Sequence, residues 1–147
     1  MIKLYTIGFT GKSAEQFFIL LKNNGVKKIL DIRINNASQL AGFAKGSDLK
    51  YFAKEIGNMA YEHNIDLAPT KEMLTRIRSK ELSWKEYEVE YLQLIKSRKI
   101  EKKIDIPKLH NTCLLCSEHT PEQCHRRLLA EYFKTLNDNI EIVHLIK

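Results

Sequence analysis

Ile2-Lys3-Leu4-Tyr5-Thr6-Ile7 alternates apolar and polar positions until Gly8 breaks the run, which predicts a short strand ending in a tight turn. Ser13 with Gln16 three residues later forms a capping-box pattern, and Phe17, Phe18, Leu20 and Leu21 follow at helical spacing before Asn23-Asn24-Gly25 stops the helix. Val26 to Ile32 then reads as a second strand. Strand, helix and strand joined by short turns make a βαβ unit, whose strands run parallel and end on one edge.

Asn35 to Gly46 has no period and is rich in Asn, Ser, Gln, Ala and Gly. It reads as a long loop, uncommon inside a compact domain without a functional role or disorder. Asp48 is placed to cap a helix through Leu49, Phe52 and Ile56, Tyr61-Glu62-His63 reads as a short third strand, and Ala68-Pro69-Thr70 leads into another helix. Ser83 and Glu86 make a second capping box, after which Tyr87, Tyr91, Leu94 and Ile95 continue an apolar stripe toward Ile100. Asn111 to Cys116 is the next strand, Thr120-Pro121-Glu122-Gln123 opens a helix with proline at its first position, and Glu141 to Ile146 is a terminal strand. The alternation predicts one α/β domain over residues 1–147, with a Rossmann-like, mainly parallel sheet and helices on both faces.

Composition narrows this picture without changing it. The 147 residues are 44% apolar and 29% charged, an ordinary globular balance for one domain. No apolar run is long enough to span a membrane and the first residues enter a folded pattern with no signal peptide, so a cytoplasmic protein without a membrane partner is expected. Three cysteines, an odd number, suit reduced thiols better than a disulfide framework. A formal charge of +6 favours an anionic small molecule or nucleic acid as partner, although Lys and Arg spread over helix faces equally describe a solvated basic surface. There is no P-loop and no glycine fingerprint for dinucleotides, so the sequence names no cofactor and leaves the oligomeric state open.

Ligands of open α/β sheets sit beyond the carboxyl ends of the strands. Polar groups collect there in this chain: Gly8 and Thr10 behind the first strand, Asp31, Arg33 and Asn35 behind the second, and Cys116, Ser117, Glu118 and His119 behind the late strand. With Thr120 as cap, Cys124 and His125 fall near the end of the first helical turn, and His125 shares a face with Leu128, Leu129, Tyr132 and Leu136. Cys116 and Cys124 can approach each other, where the helix dipole and Arg126 or Arg127 favour a thiolate while Glu118 opposes it. Inert packing of both cysteines and a structural histidine is the plainer alternative.

A zinc set of Cys113, Cys116, Cys124 and His125 is disfavoured, because residues three apart in a strand face opposite sides of the sheet, and no metal is expected. Arg33 is suited either to gripping phosphate or to an ion pair that fixes the loop. Arg126 and Arg127 diverge by about 100°, so at most one faces a given pocket.

Thr6-Ile7-Gly8, Asp31-Ile32-Arg33, and Leu115-Cys116-Ser117-Glu118 leading through Pro121 to Cys124-His125-Arg126-Arg127-Leu128 resemble the domain of unknown function 488 family in order and spacing over nearly the whole chain. Many members carry a histidine after the first glycine, and a proline and an arginine in the loop behind the Asp-x-Arg element. This chain has Phe9 and the run from Ile34 to Phe43 there, and looks like a distinct branch. The resemblance carries over Gly8, Asp31, Arg33, Cys116, Glu118, Cys124, His125 and Arg126. It implies a fold and a site more than a reaction, with similarity to families suspected of acting on nucleotides or nucleic acid. Cysteine phosphatase and rhodanese-like chemistries fit poorly, since the sixth residue after Cys116 is Glu122 and the intervening loop has no glycine.

The leading expectation is therefore an enzyme acting on a phosphate-bearing or base-containing ligand. Asp31, Glu118, His125, Cys116 and Cys124 form its catalytic set, and Gly8, Thr10, Arg33, Asn35 and Arg126 bind the ligand. A non-catalytic nucleotide or nucleic-acid binding module is the second expectation. The third is an interaction domain whose Cys-His-Arg segment only locks the last helix to the sheet.

Overall fold

A strand with no polar alternation has to be covered on both faces. Thr112–Cys116 is such a strand, buried throughout. In the computed structural model, which describes residues 1–37, 42–118 and 121–146, it lies at the centre of a five-stranded sheet. The strands are β1 (Ile2–Gly8), β2 (Lys28–Asp31), β3 (Ala60–His63), β4 (Thr112–Cys116) and β5 (Ile140–Leu145). Their order is β3-β2-β4-β1-β5, and every neighbouring pair is parallel. β1 and β2 therefore belong to one βαβ unit without touching, because β4 inserts between them.

Among the described residues six helices accompany the sheet: α1 (Ala14–Asn23), α2 (Gly46–Gly57), α3 (Lys71–Arg78), α4 (Trp84–Ser97), α5 (Ile100–Lys103) and α6 (His125–Leu136). Alternate strand residues sort into two cores. Tyr5, Ile7, Ile29, Cys113 and Leu115 pack under α1 and α2. Leu4, Leu30, Leu114 and Cys116 pack under α4 and α6 with Tyr87, Tyr91, Leu129 and Phe133. The α/β architecture with helices on both faces is as the sequence predicts. Among the described residues no helix is long and apolar enough to cross a membrane.

Element boundaries depart from the sequence reading at three helices. Both capping boxes form as read, Ser13 with Gln16 and Ser83 with Glu86. α2, however, starts at Gly46 behind Lys45 rather than at an Asp48 cap, because the Gly46 amide is taken by the Asn36 carbonyl at 2.7 Å. The α4 stripe does not run on through Ile100: Lys99 turns left-handed at φ 54° and starts α5. α6 starts at His125, with Cys124 as its N-cap, and not at Thr120, which lies outside the described residues. The Pro121 carbonyl closes a turn on the Cys124 amide, and the Glu122 carbonyl accepts from the Arg127 guanidinium, which postpones the helix. The inward face comprises His125, Arg126, Leu128, Leu129, Ala130 and Phe133, so His125, Leu128 and Leu129 are buried as the sequence reading has them while Leu136 is exposed.

Register brings the site together. Gly8 pairs with Cys116, and Asp31 with both Leu115 and His63, so the carboxyl ends of four strands share one edge. The segment behind β4 passes so close to β1 that a Cβ on Gly8 would collide with the Glu118 carbonyl and lie 2.9 Å from Arg126 Nη1. Gly8→Ala is expected to cost about 3 kcal/mol of stability in urea unfolding. Gly42→Ala, where nothing lies within 4 Å of the added methyl, should stay within about 0.5 kcal/mol of the wild type.

Candidate functional site

The polar residues that close β2 form a buried network. Arg33 grips Asp31 with two parallel bonds, Nε to Oδ1 at 2.9 Å and Nη2 to Oδ2 at 2.7 Å, and its amide also donates to Oδ1. Tyr61 donates its hydroxyl to Asp31 Oδ2 at 2.6 Å and accepts from Asn36 Nδ2 at 3.0 Å. Arg33 Nη2 reaches the Ala44 carbonyl, His63 Nε2–H donates to the Arg33 carbonyl, and the Arg33 guanidinium lies 5.2 Å from the centre of the Phe9 ring. Burial alone would lower the Arg33 pKa, but the hydrogen bonds and charge of Asp31 outweigh it and raise the value. Burial, with Asp31 next, pushes the Tyr61 phenol up to about 12.

A second cluster stands beside the first. His125 Nε2–H donates to the Ile32 carbonyl at 2.8 Å, which leaves Nδ1 as the acceptor facing Cys116 Sγ at 3.3 Å. The donor atoms of Cys116, Cys124 and His125 lie within 4.8 Å of one another, and all three residues are buried. Burial acts to raise the Cys124 thiol, yet the hydrogen bond from Cys116 and the charge of Arg126 hold it well below its ordinary value. Cys116 goes the other way, pushed up by burial and by Cys124.

Both clusters open on one cleft of about 470 Å³. Arg33, Asn35, Cys116, Glu118, Cys124 and His125 line it, so six of the residues singled out from sequence share a cavity. The other four do not line it. Asp31 is fully buried, its carboxylate taken up by Arg33 and Tyr61, so it positions Arg33 and has no free oxygen for acid-base work. Arg126 is also fully buried, and its Nη1 holds the Glu118 carbonyl at 2.7 Å instead of meeting a ligand. Gly8 serves the close approach already described, and exposed Thr10 contributes only its amide, bonded to the Ser117 carbonyl. Arg127 is engaged with Glu88 and Glu131 outside the cleft. The objection to a four-ligand zinc set holds for Cys113, which packs on the opposite face of the sheet, while the other three members converge. His119 lies outside the described residues.

Sequence reasoning missed the opposite wall. Trp84, Tyr87 and Arg78 line the cleft. Trp84 stacks on Tyr87 at 5.0 Å, Tyr87 on Tyr91 at 6.3 Å, and Tyr91 lies 5.4 Å from the His125 ring. The helical spacing of Tyr87 and Tyr91 identified an apolar stripe, and nothing in it distinguished a core face from a site wall or pointed to Trp84. Tyr61 and His63 were visible as a strand, but not as partners of Asp31 and Arg33.

The family model for Domain of unknown function DUF488 matches residues 13–133. The chain belongs to this family. No curated protein and no solved structure matches it. The DUF488 match takes in β2, the cleft wall on α3 and α4, and the Cys116 to His125 cluster, whereas Gly8 and Phe9 lie before it. Phe9 supplies an aromatic face to Arg33.

Removing one partner from a buried ion pair strands the other charge. Asp31→Ala in this DUF488 domain is expected to lose about 3–5 kcal/mol in urea unfolding, and Tyr61→Phe about 1–2 kcal/mol. The raised Tyr61 pKa means that its contribution is complete below pH 10 and fades as pH climbs toward about 12. The stability gap between wild type and Tyr61→Phe, measured from pH 8 upward, should therefore be constant at first and then shrink.

Proposed function

We propose that the protein is an enzyme acting on a phosphate-bearing, base-containing ligand, with the nucleotide or nucleic-acid class as its substrates. The observation that carries this reading is Arg33. Its guanidinium is buried at the cleft, charged and fixed by Asp31, and its Nη1 has no hydrogen-bond partner among the described residues. A buried donor left unpaired costs free energy, and a ligand oxygen entering the cleft would satisfy it.

Other groups agree with that assignment. Arg78 ends α3 as an exposed second cation on the cleft wall. Trp84 forms the most exposed end of the aromatic column, where a base can extend the stack. The Cys116, Cys124 and His125 cluster lies on the same cavity and supplies the groups for bond-making or proton transfer. Glu118, exposed on the rim, is the carboxylate with access to a bound ligand.

Trp84 is the only tryptophan, so its fluorescence reports binding directly. Nucleoside monophosphates, dinucleotides and short oligonucleotides should quench it, and nucleosides lacking phosphate should bind about tenfold more weakly, or about 1.4 kcal/mol. Arg78→Ala is expected to weaken phosphate-bearing ligands about tenfold without changing the melting temperature, and Arg33→Lys more strongly because the fork is lost. Product analysis by chromatography then tests turnover, which Cys124→Ala should abolish while binding persists. Binding without conversion of any bound ligand would make the protein a binding module, and no quenching by any nucleotide would remove the ligand class.

A further inference from the structure

We propose that Cys116, Cys124 and His125 are the protein ligands of a zinc-type metal site whose fourth position opens on the cleft. The inference goes beyond the ligand class above and stands without it.

Three observations carry it. The first is the donor set. Two thiol sulfurs and one imidazole nitrogen lie within 4.8 Å of one another, with Cys116 Sγ and His125 Nδ1 already 3.3 Å apart. A tetrahedral ion with sulfur at about 2.3 Å and nitrogen at about 2.0 Å holds its ligand atoms about 3.5–3.8 Å apart. The cluster reaches that geometry by side-chain movements of about 1 Å or less.

The second is the support behind the histidine. A metal-bound histidine donates its other ring N–H to a carboxylate or carbonyl, which fixes the tautomer and turns the bare nitrogen to the ion. His125 Nε2–H has that partner in the Ile32 carbonyl at 2.8 Å, and Nδ1 is the nitrogen left facing the sulfurs. The bond comes from another strand end, 93 residues away in sequence.

The third concerns the cysteines. Cys124 occupies the N-cap of α6, yet its side chain makes no capping bond, so its sulfur is not committed to the helix. Cys116 ends β4, with its sulfur on the α4 and α6 face, and all three residues line the cleft. The ion would be enclosed by protein on three sides and approached from the fourth, the arrangement of a catalytic rather than a structural zinc. Charge balances as well. Two thiolates formed on binding neutralise a divalent ion, so the loaded site adds no net charge beside the Asp31-paired Arg33.

Cobalt(II) is the probe, since tetrahedral thiolate-bound cobalt absorbs intensely where the aqueous ion does not. Full-length protein, reduced and freed of metal with a chelator, is titrated anaerobically. One cobalt per chain with thiolate-to-metal charge-transfer and tetrahedral d–d bands is expected, and equimolar zinc should bleach them. X-ray absorption of the zinc form should find two sulfurs at about 2.3 Å and one imidazole. Cys113→Ala, on the far face of the sheet, should keep the full signal, and Cys124→Ser and Cys116→Ser should lose it. An octahedral cobalt spectrum, a zinc shell without sulfur, or a tetrahedral signal that survives both serine variants would overturn the site. The wild-type measurements decide even where a serine variant fails to fold. Nucleotide quenching of Trp84 in chelator-treated protein tests the ligand reading separately, so either conclusion can fail alone.

Discussion

The buried pair of Asp31 and Arg33 is the constraint around which this edge of the sheet is arranged. Two charges removed from water are tolerated only where geometry is close and the remaining hydrogen-bonding capacity is used. That requirement recruits Tyr61 from the neighbouring strand, Asn36 from the segment behind β2, the Ala44 carbonyl ahead of α2, and the ring of Phe9 from behind β1. Gly46 lies under the same demand, since a side chain there would strike the Asn36 amide. Satisfying one ion pair thus draws on four separate places in the chain. One guanidinium nitrogen of Arg33 has no hydrogen-bond partner among the described residues.

The second cluster depends on the first through a single peptide. Ile32 sits between Asp31 and Arg33; its amide donates to the Leu115 carbonyl and its own carbonyl accepts from His125. The end of β2 is thereby tied to the end of β4 and to the first residue of α6. Displacing Asp31 or Arg33 would shift the carbonyl that orients the imidazole. Arg126 performs the matching task on the other side, where it clamps the Glu118 carbonyl over Gly8, two residues behind Cys116. The Cys124-His125-Arg126 sequence accordingly divides its labour: the cysteine and histidine line the cleft, and the arginine holds the Glu118 carbonyl. α3 and α4 supply the opposing wall, joined to each other by Arg76 and Glu90.

Much of this was legible along the chain. Capping residues and hydrophobic periods depend on neighbours a few positions away, so the helices around Phe17 and Tyr91 and the strand from Thr112 to Cys116 were readable. The side-chain alternation of a strand likewise separated Cys113 from Cys116 without any structure. The convergence of Asp31, Arg33, Cys116 and His125 on one edge followed from parallel strands alone.

What sequence left open was everything set by contacts between distant segments. The place of β4 between β1 and β2, the burial of Asp31 and Arg126, and the carbonyl that receives His125 all join positions tens of residues apart. A residue type does not reveal whether its partner will be water, a ligand or another side chain. Arginine makes the point: Arg33, Arg126 and Arg127 look alike in sequence, but packing makes the first the buried partner of Asp31, the second a brace on the Glu118 carbonyl and the third a surface tie. Local physics determined the elements and the edge at which they meet. Tertiary packing alone decided which charges were buried and which of them found partners.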